Sequence, residues 1–225
     1  MRYRLALVRV PFWLYKVNGL SCMIKGVTFL LCLIPSIYVS VQVYWLQAGM
    51  SHKLGADPGK ELVLILGETT IRLLLLTLLI TPLRRISGWK KLLTVRRMLG
   101  LFTFYYASLH MTGYLVLLLE LNFGNLIADI SKRPYITVGF CAYLLLIPLA
   151  ITSTNRMMRL LRHRWVPLHR LVYVVAMLAV VHVIWLSKSS FLDAFVYGSA
   201  AATLLIYRVM SHRPGLFQWA TKTSS

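Results

Sequence analysis

Three of the six histidines lie within or at the edge of long apolar runs: His110, His169 and His182. An ionisable side chain at membrane depth is costly, so it usually faces the interior of a helix bundle and has a partner or a function. Neutral imidazole is a good ligand for iron, and two imidazoles that face each other in a bundle core can hold a b-type haem. Two buried histidines that only hydrogen-bond to neighbouring helices would fit the same pattern.

The spacing of His110 and His182 predicts that their rings lie at similar depth, toward the outer leaflet. His110 is thirteen residues beyond Arg97, and His182 is thirteen residues beyond His169. If both stretches are helices that run in the same direction, each spacing is a rise of about 20 Å. Small residues nearby would leave room for a porphyrin: Ala107, Gly113 and Ala179. His110 and His182 are therefore the predicted axial ligands of one haem.

His169 is a separate case, because it lies at the predicted inner end of its helix. On an ideal helix it is rotated by about 140° from His182, so the two side chains address different places. Its neighbours Arg164 and Arg170 are basic, and they suit a propionate, a flavin phosphate or a quinone headgroup. At matching depth on the other helix stands Arg97, and arginine is a poor iron ligand. A second haem, another inner cofactor and a snorkelling interfacial histidine remain alternatives for His169.

The elements that position these histidines must be membrane helices. With 58% hydrophobic residues and a mean hydropathy of +0.70, the chain is far more apolar than a water-soluble domain, where that share is about 45–50%. Spanning the hydrocarbon takes about 20 apolar residues per helix. Six stretches qualify: 24–48, 62–82, 98–119, 135–154, 167–187 and 191–210. We expect an all-α bundle of six transmembrane helices in a single domain, 1–225.

The charges predict the orientation of this bundle. Most of the 25 Lys and Arg residues precede the first span, lie between spans two and three or four and five, or follow the last span, whereas all six acids lie toward the other face. By the positive-inside rule both termini are cytoplasmic, with a basic N-terminal segment, 1–23, and a short tail, 211–225. The net charge of +19 fits topology and attraction to the anionic lipid bilayer. No basic soluble module indicates nucleic-acid binding.

The N-terminus and the cysteines give two further predictions, one about targeting and one about the kinds of site. The basic N-terminus has no small-residue cleavage pattern and is predicted to be an uncleaved anchor. The three cysteines form neither C-x-x-C nor C-x-x-C-H, which removes a zinc ribbon, a thioredoxin motif and covalent c-type haem.

Glu68 and Arg72 are the charged pair within the second span. Their spacing of four residues places them on one helix face, where pairing offsets most of the cost of either charge. We expect a structural ion pair here and not a proton relay.

Several blocks of mixed polarity recur in the order typical of one family. They are LGADP (54–58), LLLLTLLITPLRR (73–85), VRRMLGLFTFYYASLHMTGY (95–114), KRPYITVGF (132–140), ITSTNRMMRLL (151–161) and WVPLHRLVYVVAMLAVVHVIW (165–185). In these blocks the chain closely resembles the MsrQ (YedZ) family, the haem-binding membrane subunits of the bacterial MsrPQ methionine sulfoxide reductase system. That family lies within the ferric-reductase-like transmembrane superfamily. The likeness covers about 55 to 187, most of the chain.

The resemblance implies a respiratory electron carrier of the bacterial inner membrane. Such proteins take electrons from the quinol pool, with FMN and a cytoplasmic flavin reductase also proposed. They pass them through haem b to MsrP, a periplasmic molybdopterin enzyme that reduces methionine sulfoxide in oxidised envelope proteins. It also implies that the haem ligands are among His110, His169 and His182, and that the chain is an electron-transfer subunit of an oxidoreductase system.

One position departs from the family pattern, and two other functions remain open. Many family members carry a histidine in an H-x-T-G-like block at the start of span two, where this chain has Leu64, so any site that depends on that histidine is in doubt here. A metal-ion reductase of the ferric-reductase type would need a fused flavin and nicotinamide domain, and the C-terminal tail is too short for one. A cofactor-free transporter or scaffold would explain the spans but not the histidines.

Overall fold

The protein is all-helical in the part described by its computed structural model, residues 19–186 and 191–212. The helices are α1 (Gly19–Gln47), α2 (Pro58–Ser87), α3 (Leu93–Gly113), α4 (Phe123–Lys132), α5 (Pro134–Ile151), α6 (Asn155–Leu161), α7 (Trp165–His169), α8 (Leu171–Leu186) and α9 (Phe191–His212). A π-helix, Tyr114–Leu118, continues α3. The predicted basic N-terminal segment and C-terminal tail lie almost entirely outside the described residues.

The prediction of six spans is confirmed. Six helical segments in the described ranges are long and apolar enough to cross a membrane: Cys22–Gln47, Pro58–Ser87, Leu93–Leu118, Pro134–Ile151, Asn155–Leu186 and Ala194–Ser211. The chain is a membrane protein. In α2 the start and the end are set by local chemistry. Asp57, just before Pro58, caps the start of the helix, because its carboxylate accepts a hydrogen bond from the Lys60 N–H at 3.1 Å. Gly88, at φ 70°, caps the other end.

The fifth span differs from the predicted 167–187, because it begins earlier and is broken. It consists of α6, a 3₁₀ turn at Arg162–Arg164, α7 and α8. At Arg170 the α-helical hydrogen bonds give way to bonds between residues i and i−3. The Arg170 N–H donates to the Pro167 oxygen at 3.1 Å, and the Tyr173 N–H donates to the Arg170 oxygen at 3.0 Å. His169 and His182 therefore belong to different helices, and ideal helical rotation does not relate them.

Helix α4 is an element that the span pattern does not predict, since its ten residues are too few to cross a bilayer. It is amphipathic, and Phe123 and Ile127 are exposed on it. Its polar side is tied to the end of span three, because the Tyr114 hydroxyl donates to Asp129 Oδ2 at 2.6 Å. Asp129 also pairs with Arg133, Nε to Oδ1, at 3.3 Å. These contacts fix α4 beside the π-helix.

Two antiparallel pairs form the frame of the bundle, α2 with α3 and α5 with α8, and these are the most extensively packed helices. One buried cluster joins the two pairs: Leu74, Leu78, Ala107, Leu146, Leu149, Val172, Val175 and Ala176. His110 on α3 and His182 on α8 thus belong to different hairpins.

The charged pair in α2 is confirmed. Arg72 Nη2 lies 2.6 Å from Glu68 Oε2, and Arg72 Nε donates to the Tyr197 hydroxyl of α9 at 2.9 Å. Pairing within one helix and a bond to a second helix are what a structural ion pair provides.

Tyr106 of α3 holds α1 next to Pro35, which lies inside that helix. Its side chain is 0% exposed. The hydroxyl donates to the Cys32 carbonyl at 2.6 Å, and it accepts from the Ser36 N–H at 3.1 Å and the Ser36 hydroxyl at 2.9 Å. One donor and two acceptor sites are the full capacity of a phenol, so Tyr106 is saturated by α1.

Replacing Tyr106 with Phe should loosen α1 from the bundle. The change keeps the ring but removes the hydroxyl that bonds the Cys32 carbonyl and the Ser36 N–H, and a buried polar group that loses its partner costs about 1–3 kcal/mol. Thermal unfolding of the detergent-purified protein measures the loss as a lower midpoint. Tyr105→Phe is the control, because that ring is exposed and its hydroxyl makes a longer contact, 3.4 Å, with the Ser36 hydroxyl. Equal midpoints for the two variants would contradict the assigned role of Tyr106.

Candidate metal centre

His110 is held by the neighbouring helix of its own hairpin. Its Nδ1 lies 2.8 Å from the backbone oxygen of Val63 on α2, and the side chain is half-buried. A carbonyl oxygen can only accept, so Nδ1 must carry the proton and donate it. The tautomer that results has its lone pair on Nε2.

His182 repeats this arrangement in the second hairpin. Its Nδ1 lies 2.7 Å from the backbone oxygen of Tyr135 on α5, so Nδ1 again donates and Nε2 keeps the lone pair. The Tyr135 ring lies beside the imidazole, with ring centroids 6.4 Å apart. In both hairpins the histidine and its carbonyl partner are 47 residues apart in sequence.

The two imidazoles meet between the hairpins. Their ring centroids are 6.3 Å apart and their planes are inclined at 83°. Two imidazoles that bind one metal ion from opposite sides, with metal–nitrogen bonds of about 2 Å, have centroids roughly 6 Å apart. Among the described residues neither Nε2 has a hydrogen-bond partner. The donor set thus fits a metal ion that needs two axial nitrogens.

The histidine pair offers two protein nitrogens to a metal. Within residues 19–186 and 191–212, no group of three or more His, Cys, Asp or Glu side chains could hold a metal ion. Two histidines are too few for a typical protein site of three or four ligands. They are sufficient for haem iron, whose porphyrin supplies the four equatorial nitrogens.

His169 lies apart from this pair, and protein groups occupy both of its ring nitrogens. Nδ1 is 3.1 Å from the Trp165 backbone oxygen, and Nε2 is 3.4 Å from the Ser153 hydroxyl. The ring stacks on the Trp165 indole, with centroids 3.9 Å apart. His169 is half-buried near the predicted inner face. Any ligand taken by its Nε2 would have to displace Ser153.

Arg97 is exposed, and its guanidinium donates to the Asn155 side-chain oxygen. Ser153 lies in the short link between α5 and α6, and Asn155 is the first residue of α6. These two residues are only two positions apart, so His169 and Arg97, the two predicted inner-site residues, both contact the chain around the start of the fifth span.

Gly67 and Gly139 are the small residues behind the histidines, and the sequence argument overlooked both. Gly113, which was expected to make room for a porphyrin, instead faces α2, where an added Cβ would lie 3.3 Å from Val63 Cγ2. A signal was present in the sequence, because Gly67 precedes His110 by the same number of residues as Gly139 precedes His182. Leu64, at the family's histidine position, is a half-buried residue next to Val63.

Comparison with known proteins identifies the family. The family model for the ferric reductase like transmembrane component matches residues 66–180, which include His110 and His169 and end two residues before His182. The chain is 51% identical over 159 residues to the "protein-methionine-sulfoxide reductase heme-binding subunit MsrQ" of Xanthomonas campestris pv. campestris, covering 71% of this chain and 73% of that protein.

Proteins of the same name from two other bacteria match more of the chain. The one from Xanthomonas euvesicatoria pv. vesicatoria is 46% identical over 177 residues, 79% of this chain and 81% of that protein. The one from Herminiimonas arsenicoxydans is 44% identical over 190 residues, 83% and 84%. The predicted resemblance is confirmed, and the chain belongs to the MsrQ family of the ferric-reductase-like transmembrane proteins.

Proposed function

We propose that this protein is the haem-carrying electron-transfer subunit of a protein-methionine-sulfoxide reductase system, with the Nε2 atoms of His110 and His182 as the axial ligands of one b haem. The observation that carries the proposal is the pair of imidazoles from different hairpins, 6.3 Å apart, each with Nδ1 engaged by a carbonyl. The relatives named as heme-binding subunits support the same cofactor.

The protein contributes orientation and ligand strength, while a bound haem supplies one-electron chemistry. The Nδ1–H bonds to Val63 and Tyr135 fix the tautomer and the rotation of each ring, and they make Nε2 a stronger donor. Buried apolar side chains between the hairpins keep the local dielectric low. Charge at the site therefore responds strongly to these few oriented groups.

The direction of electron flow follows from the predicted topology. We infer a bacterial inner membrane location with both termini cytoplasmic and a single transmembrane domain, because the basic residues gather at one face and the acids at the other. Electrons from the quinol pool, or from a cytoplasmic flavin reductase through FMN, enter near the inner face. They leave at the outer face toward a periplasmic molybdopterin enzyme of the MsrP type, the partner that the family resemblance implies.

His169 and Arg97 are proposed as the inner cofactor site, for a second haem, a flavin phosphate or a quinone headgroup. His169 contacts Ser153 and Arg97 contacts Asn155, and the closeness of these two partners in sequence supports a joint role. A headgroup with hydrogen-bonding oxygens could replace the Ser153 hydroxyl at Nε2 while the Trp165 stack keeps the ring in place.

A second candidate is a metal-ion reductase, which the description of the matching family model favours. The same histidine pair would serve it, and only the acceptor at the outer face would differ. An assay of the reconstituted protein supplied with quinol separates the two functions. Reduction of methionine sulfoxide by an added MsrP-type enzyme supports the proposal, and direct reduction of a ferric chelate supports the alternative.

The first test of the proposal removes the ligands. His110→Ala and His182→Ala should each abolish the bis-imidazole absorption spectrum of the purified protein. With a single imidazole remaining, one axial position of the iron would lack its protein ligand. Reduced-minus-oxidised difference spectra measure this. His163→Ala is the matched control, since His163 is exposed in the basic segment before α7. An unchanged spectrum in either ligand variant would eliminate the assignment, and a cofactor-free scaffold would show no spectrum at all.

The inner site is tested by His169→Ala. The spectrum of the outer pair should persist, because His169 lies apart from that pair. Quinol-driven reduction of the haem should slow, because the proposed inner site would lack the imidazole that Ser153 and Trp165 hold in place. Stopped-flow reduction measures the rate, again with His163→Ala as the control. Unaltered haem content together with an unaltered reduction rate would leave His169 as an interfacial histidine without a redox role.

A further inference from the structure

We propose that Gly67 and Gly139 are positioning residues for His110 and His182. Each glycine opens a notch in the facing helix through which the imidazole Nδ1 reaches a backbone carbonyl one turn earlier. The significance of the notch for a metal rests on the proposed function, in which these histidines are axial ligands. The contact between glycine and histidine stands on geometry alone.

The notch at Gly67 leaves little space for a side chain. A Cβ atom added there would lie 3.0 Å from both Cε1 and Nδ1 of His110, at the limit that real Cβ contacts respect. The same Nδ1 is 2.8 Å from the Val63 oxygen. Even alanine at position 67 would therefore press on the nitrogen that makes the bond.

The notch at Gly139 is tighter. An added Cβ would lie 2.7 Å from Nδ1, 2.8 Å from Cε1 and 3.2 Å from Cγ of His182. Nδ1 is also 2.7 Å from the Tyr135 oxygen. No side chain fits at 139 unless the imidazole moves away from its carbonyl.

The carbonyl partner is chosen by helix geometry. Val63 is four residues before Gly67, and Tyr135 is four residues before Gly139. In an α-helix the oxygen of residue i accepts the N–H of residue i+4, so it lies beside the surface of that later residue. A carbonyl has two lone pairs and can accept the imidazole as a second donor. A glycine at i+4 exposes this oxygen to the side.

The arrangement occurs twice, which argues against coincidence. The glycine lies on α2 in the first hairpin and on α5 in the second, and the histidine lies on α3 and α8. The separation of 47 residues between carbonyl and histidine is the same in both. Two independent packing accidents would not be expected to share this spacing and the same position of glycine.

The chemical consequence concerns the strength and direction of the ligand. An Nδ1–H bonded to a carbonyl makes the imidazole more electron-rich at Nε2 and stabilises the oxidised metal. It also stops rotation of the ring about the bond to Cβ. By this argument Gly67 and Gly139 set both the affinity for haem and its reduction midpoint potential, although neither residue touches the cofactor through a side chain.

The test compares Gly67→Ala and Gly139→Ala with Gly100→Ala in the full-length protein purified from membranes. Gly100, on α3, is the matched control, because an added Cβ would meet only Thr77 Cγ2 within 4 Å, at an ordinary 3.8 Å. Loss of an outer-shell partner typically lowers metal affinity about 10–100-fold. We expect that loss for Gly67→Ala and Gly139→Ala, with a more positive midpoint potential and an altered low-spin EPR spectrum in the haem that remains.

The outcomes separate this inference from the proposed function. If His110→Ala and His182→Ala lose haem while Gly67→Ala and Gly139→Ala match Gly100→Ala in haem content, EPR spectrum and potential, the positioning role is overturned. If the histidine variants keep a normal haem spectrum, the ligand assignment fails instead.

A double substitution keeps the contact testable where Gly67→Ala or Gly139→Ala lowers the yield of folded protein. In the His110→Ala background the Cβ at 67 has no ring to meet, so Gly67→Ala should no longer reduce the monodisperse yield or the unfolding midpoint. The same holds for Gly139→Ala in the His182→Ala background. An equal penalty with and without the imidazole would show that the glycine serves another contact and would overturn the inference.

Discussion

The hydrogen bond from an imidazole Nδ1–H to a backbone carbonyl of the facing helix is the interaction on which the centre of this protein depends. It occurs at His110 with Val63 and at His182 with Tyr135. A buried donor without a partner is expensive in a medium of low dielectric, so each bond satisfies a group that would otherwise be costly. It also decides which nitrogen remains for chemistry. The packing of α2 on α3 places the Val63 carbonyl next to the His110 ring, and the packing of α5 on α8 places the Tyr135 carbonyl next to the His182 ring.

The same bonds explain why each hairpin needs close approach of its helices. Buried small and medium side chains, such as Ala107 and Ala176, bring the helices near each other at the level of the core. Glycine then removes the last obstacle between ring and backbone at positions 67 and 139. The orientation of each imidazole thus depends on both helices of a hairpin, and only one of them carries the histidine.

Much of the architecture follows from the sequence, because hydrocarbon length and hydropathy are strong constraints. They predict the six spans, and the spacing of Glu68 and Arg72 predicts their ion pair. The break at Arg170 and the short helix α4 were not predictable in this way. The break depends on local i to i−3 bonds after Pro167, and α4 depends on contacts of Asp129 with Tyr114 and Arg133. The hydrogen-bond partners of His110 and His182 are backbone oxygens, which every residue has, so the residue types in the sequence do not predict them.

Because the two facing imidazoles belong to different hairpins, a metal bound by both would act as a cross-link between two separately packed halves. Anything that binds only the assembled form stabilises that form by mass action. Docking of the halves and capture of the cofactor would then be one equilibrium, and supply of the cofactor would govern how much mature protein accumulates in the membrane.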